Sequence, residues 1–392
     1  MPKLIYIIAG EPSGDILASR LMLALQRRVP NVCFTGVGGE TMLALGFKSL
    51  FPIVELSVMG FWEVMPRLSL ILKRMKQVIA DLEAQQPDIL ITVDSWGFVS
   101  ALLKKVRKRK MKFPIVHYVA PQVWAWKKGR ASKAAKLTDR LMALWPYEPP
   151  YFEKCGLRCD FVGHPVVETI TETIVSPDFQ AVSIAQFKER NHIPEHCTLL
   201  CALPGSRHSE VKRLIPIFKK VIEKLHTHFP NLFVVIPSVD VLAKEVEEAF
   251  TTMSVPHCIV LGQRERYLAF QACSFAVAAS GTVTLELIAC GTPHLIAYRF
   301  SRLTNFVVKR LVTTNYANLI NILANRFVVP EFVLGNCRDD LIFKKVLHYL
   351  CHPEVAQEQV VQAKAYFETL KPFDMMPSEK AASVVLESLT YL

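Results

Sequence analysis

The chain has 392 residues, of which 51% are hydrophobic, and its formal net charge is +11. This length exceeds what one hydrophobic core usually supports, so two domains are expected. The mean hydropathy is +0.26, yet the longest apolar stretch, residues 267–285, is interrupted by Ser280, Gly281 and Thr282. It therefore predicts a buried strand, turn and helix and argues against a membrane span. The first residues show no basic region or cleavage site, so no export signal is predicted.

The cysteines and the positive charges narrow the class of protein further. Ten cysteines are scattered without a C-x-x-C pair, which is typical of small buried side chains in a reducing compartment. Positive charge is concentrated in Lys104–Lys112 and Lys127–Lys136. Such blocks suit nucleic acid, an anionic membrane or an acidic substrate, or they are solvated helix ends. No nucleic-acid-binding motif accompanies them, so nucleic acid is not expected as a partner.

The first half of the chain alternates apolar strands with helices. Strands are predicted at Leu4–Ala9, Cys33–Val37, Ile89–Val93, Ile115–Val119, Arg140–Ala143 and Cys159–Val162. Helices are predicted at Asp15–Arg28, Gly39–Leu45, Pro66–Gln85, Trp96–Lys110 and Pro150–Cys155. Strands that are apolar throughout and alternate with helices indicate a parallel sheet covered on both faces, which is an α/β fold.

After Gly163-His164-Pro165 the pattern loosens into a connecting segment and then restarts. Further strands are predicted at Thr198–Leu203, Leu232–Pro237, Cys258–Leu261, Phe275–Ala278 and His294–Ala297. Closing helices are predicted at Asp339–Leu350, Pro353–Leu370 and Pro377–Leu389. We therefore expect two doubly wound domains with a cleft between them, at residues 1–170 and 171–365. Residues 366–392 are expected to pack back on the first domain.

Three loops of the first domain follow strands and are candidate site segments. In the first loop, Ser13 and Asp15 could cap a helix or contact a substrate. Asp94 follows the strand Ile89–Val93, where open α/β sheets place ligands, and is a candidate general base or a simple cap. The segment 118–126, with Gln122 and Trp124, turns at once to proline and tryptophan. Aromatic side chains in a loop favour a surface against which a sugar ring or an acyl chain packs. The alternative is that these side chains are buried in the core.

The stretch 58–74 mixes large apolar side chains with basic ones. Four apolar side chains fall at helical spacings: Phe61, Trp62, Met65 and Leu68. Ile71 and Leu72 lie next to them. A helix of this composition can lie in a membrane interface with its basic residues at the headgroups. Core packing is the other interpretation.

The second domain carries two candidate anion-binding turns. The strand that ends at Leu203 leads into Pro204-Gly205-Ser206-Arg207 and then a helix. Ser280-Gly281-Thr282 follows the strand Phe275–Ala278 in the same way. Free N–H groups at such turns, helped by the helix dipole and by an arginine, suit a diphosphate. Glu286, one turn further on, could accept the hydroxyls of a ribose, or it is an exposed residue of an ordinary capped helix.

Several strings in this order resemble the lipid-A-disaccharide synthase family. They are AGEPSGD, GVGGETM, SVMGFWEV, YVAPQVWAWK, FVGHPV, LPGSRHSEV, SGTVTLE and the region of Asn321 and Pro330-Glu331. They cover nearly the whole chain, and their combination is specific where a single string is not. The resemblance implies a GT-B fold of two Rossmann-like domains. It also implies transfer of 2,3-diacylglucosamine from UDP to the 6-hydroxyl of 2,3-diacylglucosamine 1-phosphate.

The resemblance also assigns roles to residues. It implies that Asp94 is the catalytic base and that Arg207 offsets charge on the leaving UDP. Ser13 and Asp15 match the loop that faces the cleft. The expected UDP-sugar contacts are Gly205, Ser206, Arg207, Gly281, Thr282, Glu286, Asn321 and Glu331. The residues expected to serve the acceptor or the membrane are Phe61, Trp62, Met65, Leu68, Ile71, Leu72, Gln122 and Trp124.

The chain departs from the family's pattern at three places near these positions. Where the family usually has Asp-x-Pro-Asp-Phe-Asn, this chain has Trp96, Gly97 and Val99 after Asp94, so a second acid and an asparagine are missing. Where the family usually has Ser-Leu-Pro-Asn, residues 318–321 are Asn, Leu319, Ile320 and Asn, so only the final Asn is kept. Where the family has a Gln after Pro-Glu, this chain has Leu334. These changes suggest different acyl chains or a loosened nucleotide site.

No metal or other cofactor is expected, because no D-x-D element ends a strand and Arg207 with helix N-termini can hold a diphosphate. The resemblance implies a cytoplasmic protein, peripheral on the inner face of the inner membrane, with an anionic membrane surface as partner and a homodimer left open. Three alternatives remain: another UDP-sugar GT-B enzyme such as an epimerase or a peptidoglycan transferase, a nicotinamide oxidoreductase, and a non-catalytic surface-binding protein. The opening loop lacks G-x-G-x-x-G, which argues against the oxidoreductase.

Overall fold

A computed structural model describes residues 3–56, 61–123, 129–299, 315–373 and 375–390, and for residues 61–67 it describes only the backbone. The chain forms two compact units: Met1–Glu168 with Leu370–Leu392, and Thr169–Thr369. Each unit contains a six-stranded parallel sheet flanked by helices. The predicted α/β fold class with two Rossmann-like sheets is confirmed.

The first unit is built on the sheet order β2-β1-β3-β4-β5-β6. Its strands are β1 (Leu4–Ala9), β2 (Cys33–Val37), β3 (Ile89–Val93), β4 (Ile115–Tyr118), β5 (Arg140–Ala143) and β6 (Cys159–Phe161). Its helices are α1 (Pro12–Arg28), α2 (Glu40–Leu43), α3 (Phe61–Gln85), α4 (Trp96–Lys108), α5 (Arg130–Leu137) and α6 (Pro149–Glu153), and a 3₁₀ turn spans Ile53–Glu55. The strand β3 is buried at every residue, as expected for a strand covered on both faces.

The second unit has the sheet order β12-β11-β10-β7-β8-β9. Its strands are β7 (Thr198–Leu203), β8 (Leu232–Ser238), β9 (His257–Leu261), β10 (Phe275–Ala279), β11 (His294–Tyr298) and β12 (Glu331–Val333). Its helices after β7 are α10 (His208–His228), α11 (Ala243–Phe250), α12 (Gln263–Ala272), α13 (Val283–Cys290), α14 (Leu319–Ala324), α15 (Asp339–Cys351) and α16 (Pro353–Glu368), with 3₁₀ turns at Asp240–Leu242 and Leu334–Asn336. Apolar side chains of β7, β8 and β10 pack against α10 and α15 and form its core.

The strands predicted from apolar runs are all present, with their ends shifted by at most one residue. The short edge strand β12 was missed because its three residues are only half-buried and begin with a glutamate. The predicted helix Gly39–Leu45 is shorter, at Glu40–Leu43, and the helix predicted from Pro66 begins at Phe61.

The predicted connecting segment after Gly163-His164-Pro165 is helical, which the sequence reasoning did not predict. The segment contains the three helices α7 (Pro165–Val175), α8 (Pro177–Gln180) and α9 (Ile184–Arg190). The Ser176 side chain caps α8, and Ser183 forms a capping box with Gln186 at the start of α9. These caps are readable signals, because serine before a helix satisfies backbone N–H groups that have no partner within the helix.

The last helix, α17 (Pro377–Thr390), belongs to the first unit although it ends the described chain. The Arg28 guanidinium, in α1, donates to Glu379 at 3.0 Å and to Ser383 at 2.7 Å. Arg140, in β5, donates to the Val384 carbonyl and to Glu387. The chain therefore returns to its first sheet after building the second.

Candidate active site

Two loops of the first unit meet because their strands are neighbours in the sheet. Ala9, the last residue of β1, is paired with Val93, the last residue of β3. The loops that follow these strands therefore leave the same edge side by side. The Ser13 hydroxyl donates to Asp94 Oδ2 at 3.2 Å. The sheet thus brings together two residues that the sequence singled out separately.

The backbone holds the Asp94 carboxylate in place. Asp94 and Ser95 both have left-handed backbone conformations, with φ of 56° and 47°, which is a strained arrangement for side-chain-bearing residues. The Ser95 N–H donates to Asp94 Oδ1 at 2.8 Å. A Cβ on Gly10 would lie 2.4 Å from Ser95 Cβ, so the close approach of the two loops requires glycine there.

Glu11 is a second carboxylate at this edge, and the sequence reasoning missed it. Its Oε1 accepts a hydrogen bond from the Ser95 hydroxyl at 3.0 Å. Burial, and then the negative charge of Asp94, raise the pKa of Glu11. A pair of carboxylates at one strand edge is a common arrangement in sites that move protons. The signal was available, since Glu11 lies in the loop that also holds Ser13.

Asp15 has a different environment from Ser13. It is 4% exposed. Its carboxylate accepts hydrogen bonds from the backbone N–H groups of Gly39, Thr41 and Met42 at 2.7, 2.8 and 3.3 Å. The Thr41 hydroxyl donates to it as well, at 2.6 Å. Asp15 therefore fixes the start of α2, and its oxygens are occupied by this chain's own donors.

The second unit forms a cavity in the same way, at the ends of the neighbouring strands β7 and β10. Leu203, which ends β7, is paired with Ala278, near the end of β10. The cavity has a volume of about 390 Å³. We call it the nucleotide cavity, after the UDP-sugar contacts that the sequence analysis expects there. The candidate residues that line it are Gly205, Ser206, Arg207, Gly281, Thr282 and Glu286. Six residues from two separate motifs are thus brought together.

Glu210, on the first turn of α10, organises the loop before that helix. Its carboxylate accepts hydrogen bonds from the Ser206 N–H at 3.2 Å, from Arg207 at 3.1 Å and from the Tyr298 hydroxyl at 3.1 Å. Gly205 has a φ of 113°, and a Cβ there would lie 2.6 Å from the Glu210 carboxylate. The Arg207 side chain remains 63% exposed, and no described side chain caps α10. Both features suit an incoming anion.

Glu286 lies on the first turn of α13 and is paired inside the nucleotide cavity. Arg266 Nε lies 3.0 Å from Glu286 Oε2, and the Glu286 side chain is only 15% exposed. Burial raises the pKa of Glu286, and Arg266 opposes that effect. The ion pair therefore holds the carboxylate in place at the cavity wall, and Arg266 is a lining residue that the sequence reasoning did not name.

Asn321 and Glu331 form a buried clasp beside the nucleotide cavity, and neither residue lines it. The Asn321 side chain accepts from the N–H groups of Val328 and Val329 and donates to Glu331 at 2.7 Å. Glu331 accepts from the N–H groups of residues 317 and 318, both at 2.8 Å. The Ser280 hydroxyl donates to the Ala317 carbonyl. The clasp thus shapes a loop that contacts the cavity wall.

The remaining candidates fall into two groups. Trp124 and the side chains of Phe61, Trp62 and Met65 lie outside the described residues. On α3, Leu68 and Leu72 are 45% and 42% exposed, and Ile71 is half-buried. Gln122 is exposed just after β4.

Two further findings concern the described residues. None of the helices they form is long and apolar enough to cross a membrane. No group of three or more His, Cys, Asp or Glu side chains in those same parts of the chain could hold a metal ion.

Comparison with solved structures shows the fold. A UDP-GlcNAc 2-epimerase from Neisseria meningitidis, bound to UDP-GlcNAc, matches with a TM-score of 0.64 at 12% identity, covering 100% of both chains. An S. aureus MnaA–UDP co-structure matches with a TM-score of 0.63 at 12% identity, covering 100% of this chain and 96% of that one. These likenesses support two Rossmann-like units of the GT-B class.

Comparison of sequences shows the family. The family model described as lipid-A-disaccharide synthetase matches residues 5–385. A lipid-A-disaccharide synthase from Paramagnetospirillum magneticum is 43% identical over 387 residues, which is 98% of this chain and 97% of that protein. One from Rhodospirillum centenum is 41% identical over 390 residues, 99% and 95% of the two chains. The chain therefore belongs to the lipid-A-disaccharide synthase family.

Proposed function

We propose that this protein transfers 2,3-diacylglucosamine from UDP to the 6-hydroxyl of 2,3-diacylglucosamine 1-phosphate. The products are a β-1,6-linked disaccharide phosphate and UDP. One observation carries the assignment: the match to lipid-A-disaccharide synthases covers nearly the whole chain, at up to 43% identity among the relatives named above. Each unit has one candidate site at the carboxyl ends of neighbouring strands, and these two sites contain the groups that such a transfer needs.

Asp94 is the proposed general base. Transfer with inversion needs one group to take the proton from the acceptor hydroxyl as that oxygen attacks the anomeric carbon. Asp94 is a carboxylate at the end of a buried strand, held by Ser13 and by the Ser95 N–H. Glu11 is a positioning residue in this proposal, because it accepts the Ser95 hydroxyl and so fixes the residue that follows the base.

The nucleotide cavity is the proposed site for the UDP part of the donor. As the bond to the sugar breaks, negative charge grows on the diphosphate, and fixed positive groups lower the energy of that state. Arg207 supplies a forked positive charge, and the start of α10 supplies N–H groups. Glu286, held by Arg266, is the proposed acceptor for the ribose hydroxyls.

Asp15, Asn321 and Glu331 are proposed to act through their surroundings, without direct contact with substrate. The polar side-chain atoms of each residue form hydrogen bonds with other residues of the chain. Asp15 fixes the start of α2, while Asn321 and Glu331 shape the loop that Ser280 contacts. Replacing them should disturb the substrate sites by moving backbone.

The exposed side of α3 is the proposed membrane contact, on the inner face of the inner membrane. Leu68 and Leu72 are exposed leucines on this helix, and Lys73 and Lys76 are exposed cations beside them. Apolar side chains that enter the interface and lysines that reach the headgroups give reversible attachment. The arrangement suits an enzyme whose two substrates both carry acyl chains.

The direct test is turnover with defined substrates. Purified protein is given UDP-2,3-diacylglucosamine and 2,3-diacylglucosamine 1-phosphate, and the products are identified by mass spectrometry. We expect the disaccharide phosphate and acceptor-dependent UDP release. The assignment would be contradicted if UDP were released at the same rate with and without the acceptor. It would also be contradicted if the product were epimerised donor instead of disaccharide.

The base is tested with Asp94→Asn. Removing a general base lowers kcat by at least about 100-fold, while the KM for the donor stays near that of the wild type. Glu153→Gln removes an exposed carboxylate from the same unit and should leave kcat unchanged. Near-normal turnover of a folded Asp94→Asn variant would disprove the role of Asp94.

A further inference from the structure

A second cavity of about 450 Å³ lies in the second unit, next to the nucleotide cavity. We call it the basic cavity and define it by Lys212, Arg213, Lys220, Arg299 and Arg338. The first three lie on one side of α10, which forms one wall. Arg299 follows β11, and Arg338 precedes α15. The cavity thus gathers five positive side chains from three separate segments.

The positive charge in the basic cavity is poorly compensated. Asp339 is the one carboxylate among its lining residues, and Lys224 already pairs with it at 2.7 Å. Arg338 pairs with Asp340 at 2.8 Å. Within the described parts of the chain, the other four cations form no ion pair. Like charges around one concave surface repel each other and attract a counter-ion, so an anion there lowers the energy of the whole arrangement.

The lining of the basic cavity also includes apolar residues. They are Pro216 and Ile217 on α10, Leu334, and Cys337, and of these Ile217 and Cys337 are buried. Arginine forks such as those of Arg213 and Arg299 match the oxygens of a phosphate. Apolar lining residues in the same cavity suit an organic part attached to the phosphate. The lining therefore favours a phosphate monoester over a simple inorganic ion.

The basic cavity is distinct from the nucleotide cavity. Arg207 and Glu210 line the nucleotide cavity, whereas Arg213 lines the basic one. No described residue lines both cavities. They are neighbours, because the Tyr298 hydroxyl donates to Glu210 and Arg299 directly follows Tyr298. A ligand of the basic cavity therefore meets different side chains from those that meet UDP.

We propose that the basic cavity is a second anion site of this protein and that it binds the phosphate monoester group of a sugar phosphate or of a lipid headgroup. The inference does not depend on the proposed transfer reaction. Its test reads binding alone, so either proposal can fail while the other stands.

The test is a titration of the full-length protein with glucosamine 1-phosphate and, separately, with inorganic phosphate, followed by isothermal titration calorimetry at low ionic strength. The double variant Arg213→Gln/Arg299→Gln should weaken the binding of glucosamine 1-phosphate by about tenfold or more, since it removes two charge-assisted contacts. The single variant Lys212→Gln should weaken it by a smaller factor. Circular dichroism and thermal unfolding establish that each variant is folded.

Two further variants make the result specific. Lys244→Gln removes an exposed lysine of α11 that does not line the basic cavity, and it should bind as the wild type does. Arg207→Ala alters the nucleotide cavity and should retain the phosphate binding. If the double variant binds like the wild type, or if Arg207→Ala alone abolishes binding, the inference is overturned.

Vesicles separate the two sources of the phosphate. Co-sedimentation compares phosphatidylcholine vesicles with and without phosphatidic acid. Binding that requires phosphatidic acid and is lost in the double variant supports the lipid headgroup. Binding of glucosamine 1-phosphate that is lost in the double variant, without any effect of phosphatidic acid, supports the sugar phosphate. If neither ligand binds in a manner that depends on Arg213 and Arg299, the cavity is only a solvated surface.

Discussion

At the scale of single residues, the first unit holds two carboxylates close to one another at a strand edge. Asp94 adopts a left-handed conformation, and so does Ser95; each such conformation costs on the order of 1 kcal/mol or more. Hydrogen bonds from Ser13 and from the Ser95 N–H maintain it. The direction of the Asp94 carboxylate is thus set by the backbone as well as by its side-chain rotamer. The negative charge of Asp94 makes ionisation of the neighbouring Glu11 less favourable, and this repulsion is the electrostatic cost of the pair.

The variant Glu11→Gln tests that cost. Burial and the charge of Asp94 raise the pKa of Glu11 in the folded state, so the folded wild type loses stability as pH rises through the unfolded and then the folded pKa. Glu11→Gln lacks this loss. Its stability relative to the wild type should therefore increase between about pH 4 and pH 7. The gain should stay below about 1 kcal/mol because Glu11 is partly exposed and solvent screens the repulsion.

Chemical denaturation at several pH values measures this difference. Glu153→Gln, an exposed carboxylate of the same unit, is the control and should show no pH-dependent gain. A Glu11→Gln variant that loses stability relative to the wild type as pH rises would show that Glu11 is stabilised as an anion, contrary to this account.

At the scale of elements, α3 combines two environments. Its later turns are tied to the first unit, where Arg74 donates to Glu55 at 2.6 and 2.9 Å and Val78 is fully buried. Its earlier described side chains, Leu68 and Leu72, remain exposed. A helix anchored at one end that presents exposed leucines at the other is suited to contact a bilayer without crossing it.

The double variant Leu68→Ser/Leu72→Ser should reduce the fraction of protein that sediments with anionic phospholipid vesicles by about tenfold, because two leucine side chains no longer enter the interface. Turnover of water-soluble substrate analogues should be unchanged. Leu261→Ser removes an exposed leucine at the end of β9 and should not alter sedimentation. Unchanged sedimentation of the double variant would contradict the proposed contact of α3 with the membrane.

At the scale of the whole molecule, the chain leaves its first sheet, builds the second, and returns. The returning helix α17 is fastened by Arg140, which is buried in β5 and donates to Asp160 at 2.6 Å and to Glu387 at 2.7 Å. Burial works against ionisation of Asp160, but the Arg140 guanidinium more than offsets it and lowers the pKa of that carboxyl. Residues far apart in the sequence therefore share one ion-pair network within the first unit.

Replacement of Arg140 by alanine should destabilise the first unit by about 2 kcal/mol. A fully buried pair would lose more, but Asp160 and Glu387 keep contact with water. Because the carboxyl pKa values are lowered in the folded state, the difference from the wild type should shrink as pH falls below about 4. Urea unfolding followed by hydrogen exchange of the two units measures it.

Arg158→Ala is the matched control. Arg158 contacts the same two carboxylates but its side chain is 53% exposed, so its loss should cost less than about 1 kcal/mol. Equal losses for the two variants would contradict the assignment of Arg140 as the fastening residue. The exchange of the second unit should be unaffected in both.

The sequence by itself determined the described strands except β12, the α/β class and the family, because those depend on local apolar runs and on ordered motifs. It also indicated Asp94, which directly follows β3, and Arg207, which lies in the turn after β7. The tertiary structure decided which loops are neighbours: β1 lies beside β3, and β7 beside β10. The contact of Glu11 with Ser95 follows from that order. Glu210 contacts Arg207 because the two are three residues apart, and Arg266 reaches Glu286 because α12 packs on α13. Sheet order results from packing between distant segments, and no local pattern of residues encodes it.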